Sequence, residues 1–168
     1  MQRAFWISFV VASAAYLAIV LWALPFVSQE AGGQVPFDLR PTGYSMEDAQ
    51  AFLSALSAPG RDFYLGVQHK LDIFFPAVLA LTFILGFQML FSRWWATFFG
   101  FVALLGAASD YLENYLVSVM LTMPVETIEG SLVSLSSFWT ISKSISSTLC
   151  FAALLFGAAR VSLRRWVL

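Results

Sequence analysis

The sequence predicts an all-α fold: an integral membrane antiparallel four-helix bundle, one domain over residues 1–168, with one outer loop carrying a short amphipathic helix. Three observations predict it. The chain is 60% hydrophobic and 11% charged, against about 25% charged residues in a soluble domain. A soluble core of this length could not hide so much apolar surface. Four segments are long and apolar enough to cross a bilayer, and the arginines gather on one side of them.

The first segment runs from Phe5 to Phe26. Its apolar run is too long for a signal-peptide core and no clear A-x-A site follows, so an uncleaved anchor is expected. Ser8, Ala12 and Ala15 give it a small-residue face for packing. The outer loop covers residues 27–63. Its first part, "EAGGQVPFDLRPTG", is turn-rich and expected to be irregular. The following "YSMEDAQAFLSALSAPG" reads as one short helix, capped by Ser45 with Asp48 at the box position and stopped by Pro59-Gly60. Ala49, Phe52, Leu53 and Leu56 share a face by helical spacing, which suits a lid on the bundle or a membrane-surface helix. The second span covers about Tyr64–Phe91, the third Trp94–Met123 and the fourth about Leu132–Val161. A span needs about 20 residues, so these three should tilt or protrude.

Arg3, Arg93, Arg160, Arg164 and Arg165 flank one side of the spans. The other side has the long loop, where acids dilute Arg40 and Arg61, and the Pro124–Glu129 turn with Glu126 and Glu129. The positive-inside rule puts both termini and the Ser92-Arg93 turn in the cytoplasm, for a multi-pass protein of the bacterial inner membrane. Trp6, Trp94, Trp95 and Trp166 fall near the inner boundary, as an aromatic belt would.

Ionisable residues interrupt the spans at one depth. At 1.5 Å per helical residue, Asp110 lies about 25 Å from Arg93 and Glu113 about 30 Å, while Lys143 lies about 25 Å from Arg160. Asp72 comes out about 30 Å from Arg93, with His69 and Lys70 one turn further out. All fall in the outer third of the membrane. Gly100, Ala103, Gly106, Ala107, Asp110, Glu113 and Asn114 make one stripe on the third helix, expected to face other helices, with Phe101, Leu105, Leu112 and Leu116 on the far side. Ser136, Thr140, Lys143 and Ser147 make a polar stripe on the fourth. Pro76 removes the helical partner of the Asp72 carbonyl and should kink the second helix there. The candidate ligand or polar cluster is therefore Asp72, Asp110, Glu113, Asn114, Lys143 and His69. Its carboxyls outnumber Lys143, so His69 or Lys70 helps from above, a carboxyl keeps a proton, or a cation or water fills the site.

Composition excludes several functions. A net charge of −1 without a basic stripe leaves no nucleic-acid partner. One cysteine, Cys150, in an apolar stretch reads as a buried small hydrophobe. With one histidine and no E-x-x-H or H-x-x-x-H, no metal and no cofactor is expected; G-x-S-x-G is absent.

Asp72 followed by "FFP", Asp110-x-x-Glu113-Asn114, Lys143 in a Ser/Thr-rich last helix, and "GRDFYLGVQHKLD" entering the second helix resemble a group of small four-helix bacterial membrane proteins. The resemblance covers about residues 45–150. It implies the fold and the importance of the cluster, and no chemistry. The residues fit first a structural, accessory or assembly protein, partnered by membrane lipids and by a larger membrane complex or further copies, whose polar cluster pins helix register. The alternative is binding or transport of an amphipathic ligand or lipid at the cluster. The second alternative is an intramembrane acid–base enzyme.

Overall fold

The computed structural model describes residues 1–166; the side chains of Arg164, Arg165 and Trp166, read above as inner-boundary anchors, lie outside the described residues. The described residues form helices and loops, with no strand among them. The helices are α1 (Gln2–Glu30), α2 (Met46–Ala55), α3 (Ala58–Leu90), α4 (Arg93–Thr122) and α5 (Gly130–Trp166). Among these, α1, α3, α4 and α5 are long and apolar enough to cross a membrane.

Helix α1 extends beyond the expected segment at both ends. It passes Pro25 after a π-helical turn, Ile19–Ala23, that ends two residues before the proline, whose ring and missing N–H do not fit a regular helix interior. Gly32 and Gly33, at φ 63° and 87°, end it. The Gly33 N–H reaches back to the Ser28 carbonyl at 2.8 Å, as such helix stops do. The loop beyond contains one 3₁₀ turn, Phe37–Leu39.

Ser45 and Asp48 form a complete capping box on α2: the Asp48 N–H donates to Ser45 Oγ at 3.1 Å and the Ser45 N–H to Asp48 Oδ2 at 2.9 Å. Pro59-Gly60 does not stop this helix, contrary to expectation. Helix α2 ends at Ala55, Leu56 is extended, and Ser57 caps a new helix by accepting the Gly60 N–H at 3.1 Å. Pro59 then sits in the first turn of α3, where its lack of an N–H costs nothing. So α3 begins at Ala58, not Tyr64. Gly60 lets the start of α3 touch the end of α1, since a Cβ there would lie 2.5 Å from Glu30 Cβ.

Helix α3 packs against α1, α4 and α5, α4 packs against α5, and α2 touches α5. Two apolar clusters fill the interior. One joins Val27, Phe37, Phe52, Leu53, Tyr64, Met120, Leu121 and Val133. The other joins Phe83, Phe87, Ala96, Ala103, Cys150 and Ala153. The buried face of α2 lies inside the first cluster, so α2 covers the helix ends as a lid and does not present that face outward. Ser8, Ala12 and Ala15 are the buried face of α1. Phe101, Leu105 and Leu112 are exposed on α4 as the stripe requires, but Leu116 is not: it is only 9% exposed. It lies three residues beyond Glu113, at the edge of the buried stripe and beside Val117 in the lid cluster.

Candidate functional site

Between the two apolar clusters, α3, α4 and α5 each carry a polar segment. Lys143 of α5 is its centre. Its Nζ lies 2.5 Å from Glu113 Oε2, 3.4 Å from Asp38 Oδ1 and 3.5 Å from Asp110 Oδ1. The Lys143 side chain is 14% exposed and that of Glu113 is fully buried. The contact to Oε2 is a close ion pair without hydrogen-bond direction, since that oxygen has no hydrogen-bond donor. The other Glu113 oxygen accepts the Thr140 hydroxyl at 2.7 Å.

The network continues through neutral groups. Tyr64 donates its hydroxyl to Asp38 Oδ2 at 2.7 Å. Asn114 Nδ2 donates to Asp110 Oδ1 at 3.0 Å and reaches the Asp72 backbone carbonyl at 3.4 Å. Pro76 leaves that carbonyl without a helical donor, and α4 supplies one. One residue further on, the Tyr111 hydroxyl donates to the Ile73 carbonyl at 2.8 Å. The Asp72 carboxyl accepts the Gln68 side-chain amide at 2.9 Å, and Gln68 Oε1 is buried without a partner.

The loop roofs this network. Gly43 has φ 84°, and a Cβ there would lie 2.5 Å from Ser137 Oγ. Only glycine permits this approach, which lets the Tyr44 N–H donate to Ser137 Oγ at 2.8 Å. The Tyr44 hydroxyl donates to Ser136 Oγ at 2.7 Å. Burial pushes that hydroxyl well above the ordinary tyrosine range, so it stays a neutral donor. Arg61 ties the lid down by donating to the Leu121 and Leu53 carbonyls.

Four of the residues singled out in the sequence therefore share one network through their side chains, Asp110, Glu113, Asn114 and Lys143, and Asp72 joins it only through its backbone carbonyl. His69 reaches them only through Ser118, whose hydroxyl donates to the Asn114 carbonyl at 2.8 Å. It is half-buried, and its Nδ1 lies 3.2 Å from Ser118 Oγ, one turn beyond Asn114 on α4. Gln68 takes the inward place beside Asp72, after a π-helical turn over Tyr64–Gln68 that adds a residue to the helical turn. Lys70 is exposed, so it does not offset the acids from above. Asp38, Tyr44 and Tyr64 were not foreseen. The signal for Asp38 is slight: a lone acid before an arginine in a turn-rich loop.

Below Asp110 a cavity of about 20 Å³, also lined by Pro76, Gly106, Ser146 and Ser147, has room for one water. Among the described residues no three His, Cys, Asp or Glu side chains are grouped to hold a metal ion. Chemically, the arrangement can hold charge and protons in a fixed geometry. Most donors and acceptors are already spent on one another.

No protein-family model matches the chain, and neither a curated protein nor a solved structure does. The Asp-x-x-Glu-Asn resemblance stands on its own residues alone.

Proposed function

We propose that the protein is an integral membrane accessory or assembly protein, an antiparallel four-helix bundle whose buried ion-pair network holds three helices and the lid in one register. The single observation that carries this reading is the convergence of Asp38, Asp110 and Glu113 on Lys143, at 3.4, 3.5 and 2.5 Å. Ligand pockets are clefts of about 300–1,000 Å³, whereas the cavity beside Asp110 holds about 20 Å³. Here the polar groups face one another, and an apolar lid cluster covers them. In the orientation favoured by Arg3, Arg93 and Arg160, the termini are cytoplasmic and the lid is on the outer side of the bacterial inner membrane. That puts the network in the outer leaflet, where buried polar contacts fix helix pairing.

The test is native mass spectrometry of the protein extracted with its own lipids, beside Asp110→Asn. The accessory reading expects a partner chain or further copies bound to the wild type, and weaker assembly or stability in the variant. A small molecule retained by the wild type and lost from a folded Asp110→Asn protein would overturn it in favour of ligand binding.

A further inference from the structure

Resting on the membrane reading above, we propose that the groove between α3 and α4 at their Arg93 end binds one anionic phospholipid, with its phosphate at Arg93 and an acyl chain along α4. The groove has a volume of about 600 Å³ and is lined by Gln88, Arg93, Ala96, Gly100, Phe101 and Leu104 among others. Its two ends differ in chemistry. Arg93 is exposed and makes no ion pair with any described residue. Gln88, also exposed, offers an amide at the same end. Beyond them the walls are apolar except for Thr97, whose hydroxyl is already spent on the Arg93 carbonyl at 2.9 Å.

The trough is not a by-product of close helix packing. A Cβ at Gly100 would meet only Ile84 Cγ1, at an ordinary 3.7 Å, whereas one at Gly86 would strike Leu154 Cδ1 at 2.5 Å. A side chain at Gly86 would have to push the Leu154 tip aside, whereas Gly100 leaves space unfilled. Ala96 and Gly100, one turn apart, form the floor. From Arg93 to Leu104 the helix rises about 16 Å, which is about half of a 30 Å hydrocarbon core. A cationic end and an apolar body one leaflet deep match a lipid anion. The first turn of α4 adds unpaired N–H groups, because Ser92 makes no side-chain cap.

The test begins with carbonate extraction of membranes carrying the full chain. Release into the aqueous fraction would sink the membrane reading and this proposal together. Protein that stays is purified in a mild detergent and titrated with phosphatidylglycerol or phosphatidylcholine of the same chains, read by native mass spectrometry. One phosphatidylglycerol per chain is expected, retained about tenfold over phosphatidylcholine, as a charged hydrogen bond warrants. Arg93→Gln should erase the preference, Arg93→Lys should restore it, and Gly100→Leu should reduce retention of both lipids. Equal retention by the wild type overturns the proposal while leaving the membrane reading intact. So does a preference that survives Arg93→Gln, displacement of the lipid by inorganic phosphate, or a dimer whose interface fills the groove. Should Gly100→Leu fail to fold, the exposed Arg93 variants decide alone.

Discussion

At the lid end, α4, α5 and the loop meet through charge, since Lys143 holds three carboxylates, and α3 joins them through the neutral Tyr64 and Asn114 contacts. At the other end the same helices meet mainly through shape, with a thiol contact from Cys150 to the Phe99 carbonyl at 4.0 Å as a weak polar addition. Phe87 and Phe99 pack at 5.3 Å between ring centroids, Phe91 and Phe99 at 5.4 Å, with Ala96, Ala103 and Ala153 between the helices. Each mode has its own weakness. Shape packing among small residues degrades gradually when a methyl is added or lost. A buried charge network fails as a unit, because removing one member leaves the others uncompensated.

The sharpest way to break this contrast is Lys143→Met. It leaves Asp38, Asp110 and Glu113 facing one another and should cost about 3–5 kcal/mol, read as loss of stability in a denaturant titration in detergent. A loss no larger than that of an apolar substitution at the opposite end would mean that the two ends are held alike. There the matching change is Gly86→Leu, which forces a side chain against Leu154 and Phe5 and should cost about 1–3 kcal/mol by the same titration. Tyr111→Phe removes only the bond to the Ile73 carbonyl, and about 0.6 kcal/mol is expected, typical of one interhelical polar contact. A larger loss would show that the proline site depends on α4 for its integrity.

The smallest expected effect lies in the lid. The Ser45 backbone and side-chain hydrogen bonds, with Arg40 behind them, hold the Asp48 carboxyl below the usual range. A lowered native value means that the cap is fully present above the unfolded value of about 3.9 and is lost as pH falls through the lowered one. Amide protection at Ser45 and Asp48, measured against the intrinsic exchange rate at each pH, should therefore fall on acidification, and Asp48→Asn should reproduce the change at neutral pH. Protection unchanged in both would remove the capping box from the account of α2.

The four long apolar helices were legible because hydrophobic runs of that length are local in sequence, and the α4 and α5 stripes because helical spacing is local. Glu113 and Lys143 could be matched by depth alone. Asp38 could not, because its bond to Lys143 joins residues 105 apart in sequence, and nothing local tells an irregular loop which way it folds. Gln68, and not His69, faces Asp72 for a similar reason. They are neighbours on one turn, and the extra residue of the Tyr64–Gln68 π-turn decides which faces inward. The start of α3 was misplaced because Pro59-Gly60 reads equally as a stop and, after Ser57, as a beginning.

Pro76 usually counts as a defect, one bond subtracted from a helix. Here the vacancy it leaves becomes a socket: the Asp72 carbonyl is offered sideways and Asn114 plugs into it, while Tyr111 donates to the neighbouring Ile73 carbonyl. Lateral cohesion between α3 and α4 thus comes from main-chain atoms, which no substitution of Asp72 or Ile73 themselves could delete. Restoring a regular helix with Pro76→Ala would make the two helices compete for the same acceptor.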